Sequence, residues 1–374
     1  MKRLRLIVFG LGILLLLCQP VSALQVFSEG MQTPETISPV PPGTYGGAYD
    51  GKYFVPDPGR ITGDPSVSKI WVVGSGAPSV FAPTTQAFNA STVGGLFLPA
   101  GDYWGANAGK YLTVGWNVSG SVYTSGINVY NANGTYTTLW SDIGYLPKTP
   151  AIAPAGWGVY GGQLIVTDGG PNVYAIDKSG NRTSIVSNPV YPETARFGLA
   201  FAPAGWGTVG GDLLTNRYDG TIFAVESDGD EFVFTTLASI AYGLRQMAFG
   251  SAGFIPGYGE LLFVSVSGSE YGGGTMGDVL ALDSAGNLVA SLRENIGLTK
   301  FDPRGLYFTD DGKLLISDAS DPIWIATGAD FQRTAVPEPG TMLLLGSGLI
   351  GLAGYGRKKF FKKSQLQNST SEGS

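Results

Sequence analysis

The chain has 374 residues, 57 of them glycine, with 14% charged, 12% aromatic, no histidine and one cysteine. Without histidine or a second cysteine, Ser–His and Cys–His nucleophile systems, imidazole-ligated metals and disulfide frameworks are excluded. Three of the 23 Lys+Arg precede residue 6 and five follow residue 356, leaving 15 against 28 acidic residues between them. That negative surplus argues against nucleic acid as a partner of the body.

The chain begins with a basic segment, Lys2, Arg3 and Arg5, followed by an apolar stretch at 6–17 that is short for a spanning helix. Val21, Ser22 and Ala23 then offer side chains suited to a cleavage site, so residues 1–23 read as a signal peptide and the mature chain starts at Leu24. Leu17 fills the position where a lipoprotein signal requires a small residue, so Cys18 departs with the leader and the mature chain has no cysteine. Residues 24–43 form a Pro/Ser/Thr-rich lead-in to the body at 44–335.

Abundant glycine beside many β-branched and aromatic residues predicts short strands joined by tight turns. A glycine precedes the second strand of each of six units, at Gly51, Gly109, Gly162, Gly211, Gly259 and Gly312, spaced 48 to 58 residues apart. An apolar run follows each one, at 52–55, 110–113, 163–166, 212–215, 260–263 and 313–316. Third strands recur at 70–72, 127–130, 173–175, 222–224, 279–281 and 323–325, and a glycine turn comes next, from Gly76 to Gly328. Upstream of the second-strand glycine, first strands read at 96–98, 151–153, 199–201, 247–249 and 306–308. Four short strands repeating at this interval predict an all-β, six-bladed β-propeller of four-stranded blades. The turns at 177–181 and 283–287 and the strand rhythm resemble the NHL and gluconolactonase-like six-bladed propellers, a resemblance that implies fold and little chemistry.

Two constellations in the body are candidate sites. Where second strands end, Asp57, Asp168 and Asp318 stand in corresponding places, with Asn117, Arg217 and Ser265 in the other blades. Oxygen ligands suit a hard cation, so these three aspartates are candidate ligands of a weak Ca²⁺ site. Resemblance to calcium-dependent lactonase propellers implies the same mouth, although Arg217 and the lack of a glutamate depart from that pattern. The alternative is that these aspartates close turns. On the other face, Trp104, Trp157, Trp206 and Phe254 sit beside glycines between first and second strands. Such rings either stack on sugars as a ligand platform or wedge between blades as core. The Asn-x-Ser/Thr sequons at Asn89, Asn117, Asn133 and Asn181 read as coincidence, and the glycine triplet at 272–274 as a loop without a phosphate cradle.

The C-terminus carries an address. Pro337, Glu338 and Pro339 lead into sixteen uncharged residues at 341–356, then Arg357, Lys358, Lys359, Lys362 and Lys363, and a polar tail at 364–374. The apolar stretch is marginal for a core of roughly 30 Å, which predicts a short transmembrane helix and transient inner-membrane anchoring, basic cluster inward. This order resembles the PEP-CTERM sorting signal of Gram-negative bacteria. The resemblance implies processing by exosortase, release to the cell surface or extracellular matrix, and association with exopolysaccharide and biofilm. Two functions follow as expectations: a glycan- or protein-binding surface module, or a calcium-dependent hydrolase of the lactonase type.

Overall fold

The computed structural model describes residues 24–58, 68–83, 91–119, 122–143, 148–186, 195–237, 243–268, 276–293, 296, 298, 300–319 and 322–333. The signal peptide at 1–23, the glycine triplet at 272–274 and the sorting segment, apolar helix and tail beyond 333 lie outside the described residues. Among the described residues no helix is long and apolar enough to cross a membrane.

The described strands form six antiparallel sheets in a ring, each run from an inner first strand outwards. The inner strands are Ser38–Pro39, Ser91–Phe97, Ala151–Ile152, Arg196–Phe201, Leu244–Gly250 and Pro303–Phe308, which define blades one to six. In blade four, Leu213–Arg217, Thr221–Val225 and Glu231–Thr236 complete the sheet. Its second and third strands are buried throughout, and its outermost strand is largely open to solvent. A strand packed between two neighbouring sheets is covered on both faces, so it is written as a continuous apolar run.

Ring closure comes from the N-terminus. Gln25–Ser28 pairs with Ile323–Ala326 as the outermost strand of blade six, with Gln25 opposite Ile325 and Val26 opposite Trp324. Ser38–Pro39 is the inner strand of blade one. The lead-in at 24–43 thus supplies strands to two blades. The segment after Gly328 adds no fourth strand to its own blade; Gln332–Arg333 joins the outer edge of blade five. Closing the last sheet with a strand from the other chain end ties both ends of the fold into one blade and removes an open edge.

Local turn chemistry sets the blade rhythm. Gly180 and Gly286 adopt φ of 82° and 80°, in the left-handed region that favours glycine. The aspartate three residues earlier holds each turn: Asp177 accepts from the backbone N–H groups of Ser179 and Asn181, and Asp283 from those of Ala285 and Asn287.

The cores lie between blades. One cluster joins Trp206, Leu214 and Ile222 of blade four to Met247, Leu262 and Leu280 of blade five. The aromatics between first and second strands reach across the same boundaries. Trp157 meets Phe201 edge-on at 5.0 Å, Trp206 meets Phe249 at 4.8 Å and Phe254 meets Phe308 at 4.9 Å. Trp206 Nε1 also donates to the carbonyl of Glu260 in the next blade at 3.0 Å. Trp104, Trp157 and Trp206 are 3%, 5% and 5% exposed, and Phe254 is half-buried against the core of blades five and six. These four side chains are interblade wedges, and the three tryptophans offer no face on which a sugar could stack. Flanking glycine brings the loop backbone against the neighbouring blade: a Cβ on Gly207 would lie 2.3 Å from the Ser284 carbonyl oxygen.

Candidate functional site

Inner strands approach each other closely because small residues face the neighbouring backbone. A Cβ on Gly198 would lie 2.2 Å from the carbonyl oxygen of Arg245, and one on Gly305 would lie 2.3 Å from that of Glu35. Polar side chains at the ends of second strands bridge the same gap. Asn216 Nδ2 donates to the Arg245 carbonyl at 2.7 Å, Ser265 Oγ to the Arg304 carbonyl at 3.0 Å, and Ser317 Oγ to the Glu35 carbonyl at 2.5 Å. Each bridge also holds its own inner strand, where Asn216, Ser265 and Ser317 accept from the N–H groups of Gly198, Gln246 and Gly305. A blade therefore fixes the backbone of the next blade's channel residue. Ser265 belongs to this bridging set and not with the aspartates beside which its sequence position places it.

Glu35, Arg245 and Arg304, so fixed, line the channel together with Lys148 and Phe197. Phe197, Arg245 and Arg304 are each second in their inner strand, and Glu35 and Lys148 stand three residues ahead of Ser38–Pro39 and Ala151–Ile152. With Thr36, Thr149 and Gln246 they line a cavity of about 40 Å³. Three cations and one carboxylate therefore share the channel, in a chain whose formal net charge is -6.

Aromatic rings hold the cations in place. Lys148 Nζ lies 4.2 Å from the Trp116 ring centre and 5.5 Å from that of Phe197. The Arg245 guanidinium lies 5.0 Å from Phe197 and 6.0 Å from Tyr218. Phe197 and Tyr218 contact each other at 5.8 Å, and Tyr218 is 46% exposed. The sequence of groups is Trp116, Lys148, Phe197, Arg245, Tyr218. Cation–π attraction offsets part of the desolvation these charges suffer. Among the described residues Lys148 makes no ion pair.

The electrostatics follow from burial and like charge. Burial lowers Lys148 to about 8, with Arg245 and Arg304 pushing the same way and Glu35 opposing. Burial likewise brings Arg304 down to about 10, and it raises Glu35 despite the three cations around it. Behind the ring, Asp302 receives Arg304 at 2.9 Å, Ser267 Oγ at 2.8 Å and the Gly268 N–H at 2.9 Å. Its burial pushes it up to about 6. A second buried ion pair, Arg196 with Glu231, ties the inner strand of blade four to its outermost one.

The aspartates expected at this mouth are engaged one by one in their own blades. Asp57 accepts from the Gln32 N–H at 2.8 Å, the Thr33 N–H at 3.0 Å and Trp71 Nε1 at 3.0 Å. Asp168 accepts from the Gly170 N–H and Asn172 Nδ2, each at 2.8 Å. Asp318 accepts from the Asp302 N–H and Trp324 Nε1, each at 3.1 Å. Among the described residues no three His, Cys, Asp or Glu side chains gather as a metal site would require, so Asp57, Asp168 and Asp318 are not brought together. Sequence reasoning found the aspartates and missed the basic ring. The signal lay in register: Phe197, Arg245 and Arg304 each stand two residues ahead of the recurring tripeptides at 199–201, 247–249 and 306–308.

Comparison with known proteins addresses both parts of the chain. A PEP-CTERM protein-sorting motif matches residues 335–358. The motif implies a secreted, exosortase-processed surface protein with a transient C-terminal membrane anchor. No curated protein matches the chain. Among solved structures, one described as glucose dehydrogenase is similar with a TM-score of 0.54 at 14% identity, covering 81% of this chain and 98% of that one. A second glucose dehydrogenase crystal structure gives a TM-score of 0.51 at 14% identity, over 81% of this chain and 98% of that one. At such identity the likeness establishes the propeller fold alone.

Proposed function

We propose that this chain is a surface or extracellular-matrix binding protein of a Gram-negative bacterium, whose propeller presents one ligand-binding mouth to extracellular polysaccharide. The sorting motif supports the destination. The observation that carries the binding role is the channel mouth, where Lys148 and Arg245 are held between Trp116, Phe197 and Tyr218. Half-exposed rings beside fixed cations supply both an apolar face and charge, the two contacts a sugar polymer bearing acid groups requires. No stacking platform is available from Trp104, Trp157 or Trp206, which are buried.

The test is retention. Full-length protein is passed over polysaccharide isolated from the matrix of the producing cells, alongside fractionation of those cells with and without exosortase. Saturable retention and exosortase-dependent appearance at the surface are expected. A chain that reaches the surface and is not retained by any matrix fraction would remove the binding role and leave the sorting intact.

A further inference from the structure

We infer that the channel mouth is an anion site that takes a single carboxylate or inorganic oxyanion between Lys148, Arg245 and Arg304. Its biological setting rests on the binding role proposed above, and the inference adds the chemical class of the group recognised. Three cations from three successive or near-successive blades converge on a cavity of about 40 Å³, against one lining carboxylate, Glu35. A cavity of that volume holds on the order of three water-sized particles, which suits a carboxylate or an oxyanion.

The arrangement is built. The carbonyls of Arg245 and Arg304 are pinned by Asn216 and Ser265 of the preceding blades, so the two guanidinium stems start from fixed points. The Arg245 guanidinium lies beside the touching Phe197 and Tyr218 rings, which hold it at the mouth, and its N–H groups donate in its own plane. Arg304 is buried and fixed by Asp302. Lys148, half-buried over Trp116 and in no ion pair among the described residues, adds a third charge, which Glu35 opposes as the one carboxylate lining the cavity. Arg217, in the neighbouring mouth position, instead pairs with Asp219 at 2.7 Å. The difference marks the Lys148 side of the channel as the one an anion would enter.

The experiment is calorimetric titration of the full-length chain with sodium phosphate and, separately, sodium glucuronate, at fixed ionic strength. Trp116 fluorescence is the second readout, because Lys148 lies on its ring. Saturable binding near one site per chain is expected for at least one probe. Phosphate alone would point to a free oxyanion and glucuronate alone to the carboxylate of an acidic sugar. Lys148→Met and Arg245→Gln should each weaken binding by about tenfold or more, the loss expected for a charged hydrogen bond. Arg245→Lys should recover part of the loss, and exposed Lys313→Gln should change nothing. Thermal melts confirm that the variants fold. Saturation by neither probe, or full binding by folded Lys148→Met and Arg245→Gln, would overturn the inference. Retention on matrix polysaccharide can fail while phosphate still binds, so the two readings fall separately.

Discussion

The two faces of this ring use the same aromatic residue types for opposite purposes. On the face between first and second strands, Trp157, Trp206 and Phe254 turn towards the next blade and meet Phe201, Phe249 and Phe308. On the face where second strands end, Trp116, Phe197 and Tyr218 meet cations and stay partly open. What differs is the partner. A ring whose partner is another ring is buried between sheets and contributes area; a ring whose partner is Lys148 or Arg245 holds a charge where solvent and solutes reach it. An aromatic beside glycine is thus no evidence of a ligand platform until its partner is known.

Closure should be the most sensitive feature of the first kind. Removing residues 24–30 deletes the strand that pairs with Ile323–Ala326, leaving blade six with three strands and an open edge. A fall in melting temperature larger than that of any single substitution below is expected, with gain of protease sensitivity. An unchanged melt would mean that the ring holds without that strand.

Next in size is Trp206→Ala, which removes a side chain 5% exposed together with its bond to the Glu260 carbonyl. Urea unfolding should show a loss of about 3–5 kcal/mol, the range for large aromatic truncations in cores. Gly198→Ala should cost less, about 1–3 kcal/mol, because its Cβ would lie 2.2 Å from the Arg245 carbonyl oxygen and the inner strands must part. At the mouth, Tyr218→Ala should change stability by no more than about 0.5 kcal/mol, since Tyr218 is 46% exposed. Ligand retention should nevertheless drop. A large stability loss in Tyr218→Ala, or a small one in Trp206→Ala, would erase the distinction between the faces.

The pH response is the smallest and most specific effect. Lys148 is faced by Arg245, Arg304 and Glu35 and sits at about 8, below the ordinary lysine value of 10.5. Above about 8 it loses its charge in the folded protein, so anion affinity should decline as pH rises through that value. The stability sign is opposite. Between about 8 and 10.5 the unfolded chain binds the additional proton, so this group makes folding more favourable as pH rises. Lys148→Met should flatten both trends, as followed by titration calorimetry and by melts at several pH values.

Most of the fold was legible because the blade repeat is written in local chemistry. The glycines at 51, 109, 162, 211 and 312 all take positive φ, and the strands fall where the apolar runs placed them. What was not legible needed partners far apart in sequence. Gln25–Ser28 carries no sign that it belongs beside Ile323–Ala326, nearly 300 residues away in a single sheet. The site shows the same limit. Asp57, Asp168 and Asp318 stand out singly, and each satisfies its own blade. Lys148, Arg245 and Arg304 are unremarkable one by one and acquire meaning only when the inner strands converge on one channel.

The most direct trial of this assignment of roles compares retention of the Lys148→Met/Arg245→Gln double variant and the wild-type chain on native matrix polysaccharide, with their melting curves recorded together. Closely similar melts and abolished retention are expected. A double variant that folds and is held as firmly as the wild type would contradict that assignment, because the mouth would then not be where this propeller meets its ligand.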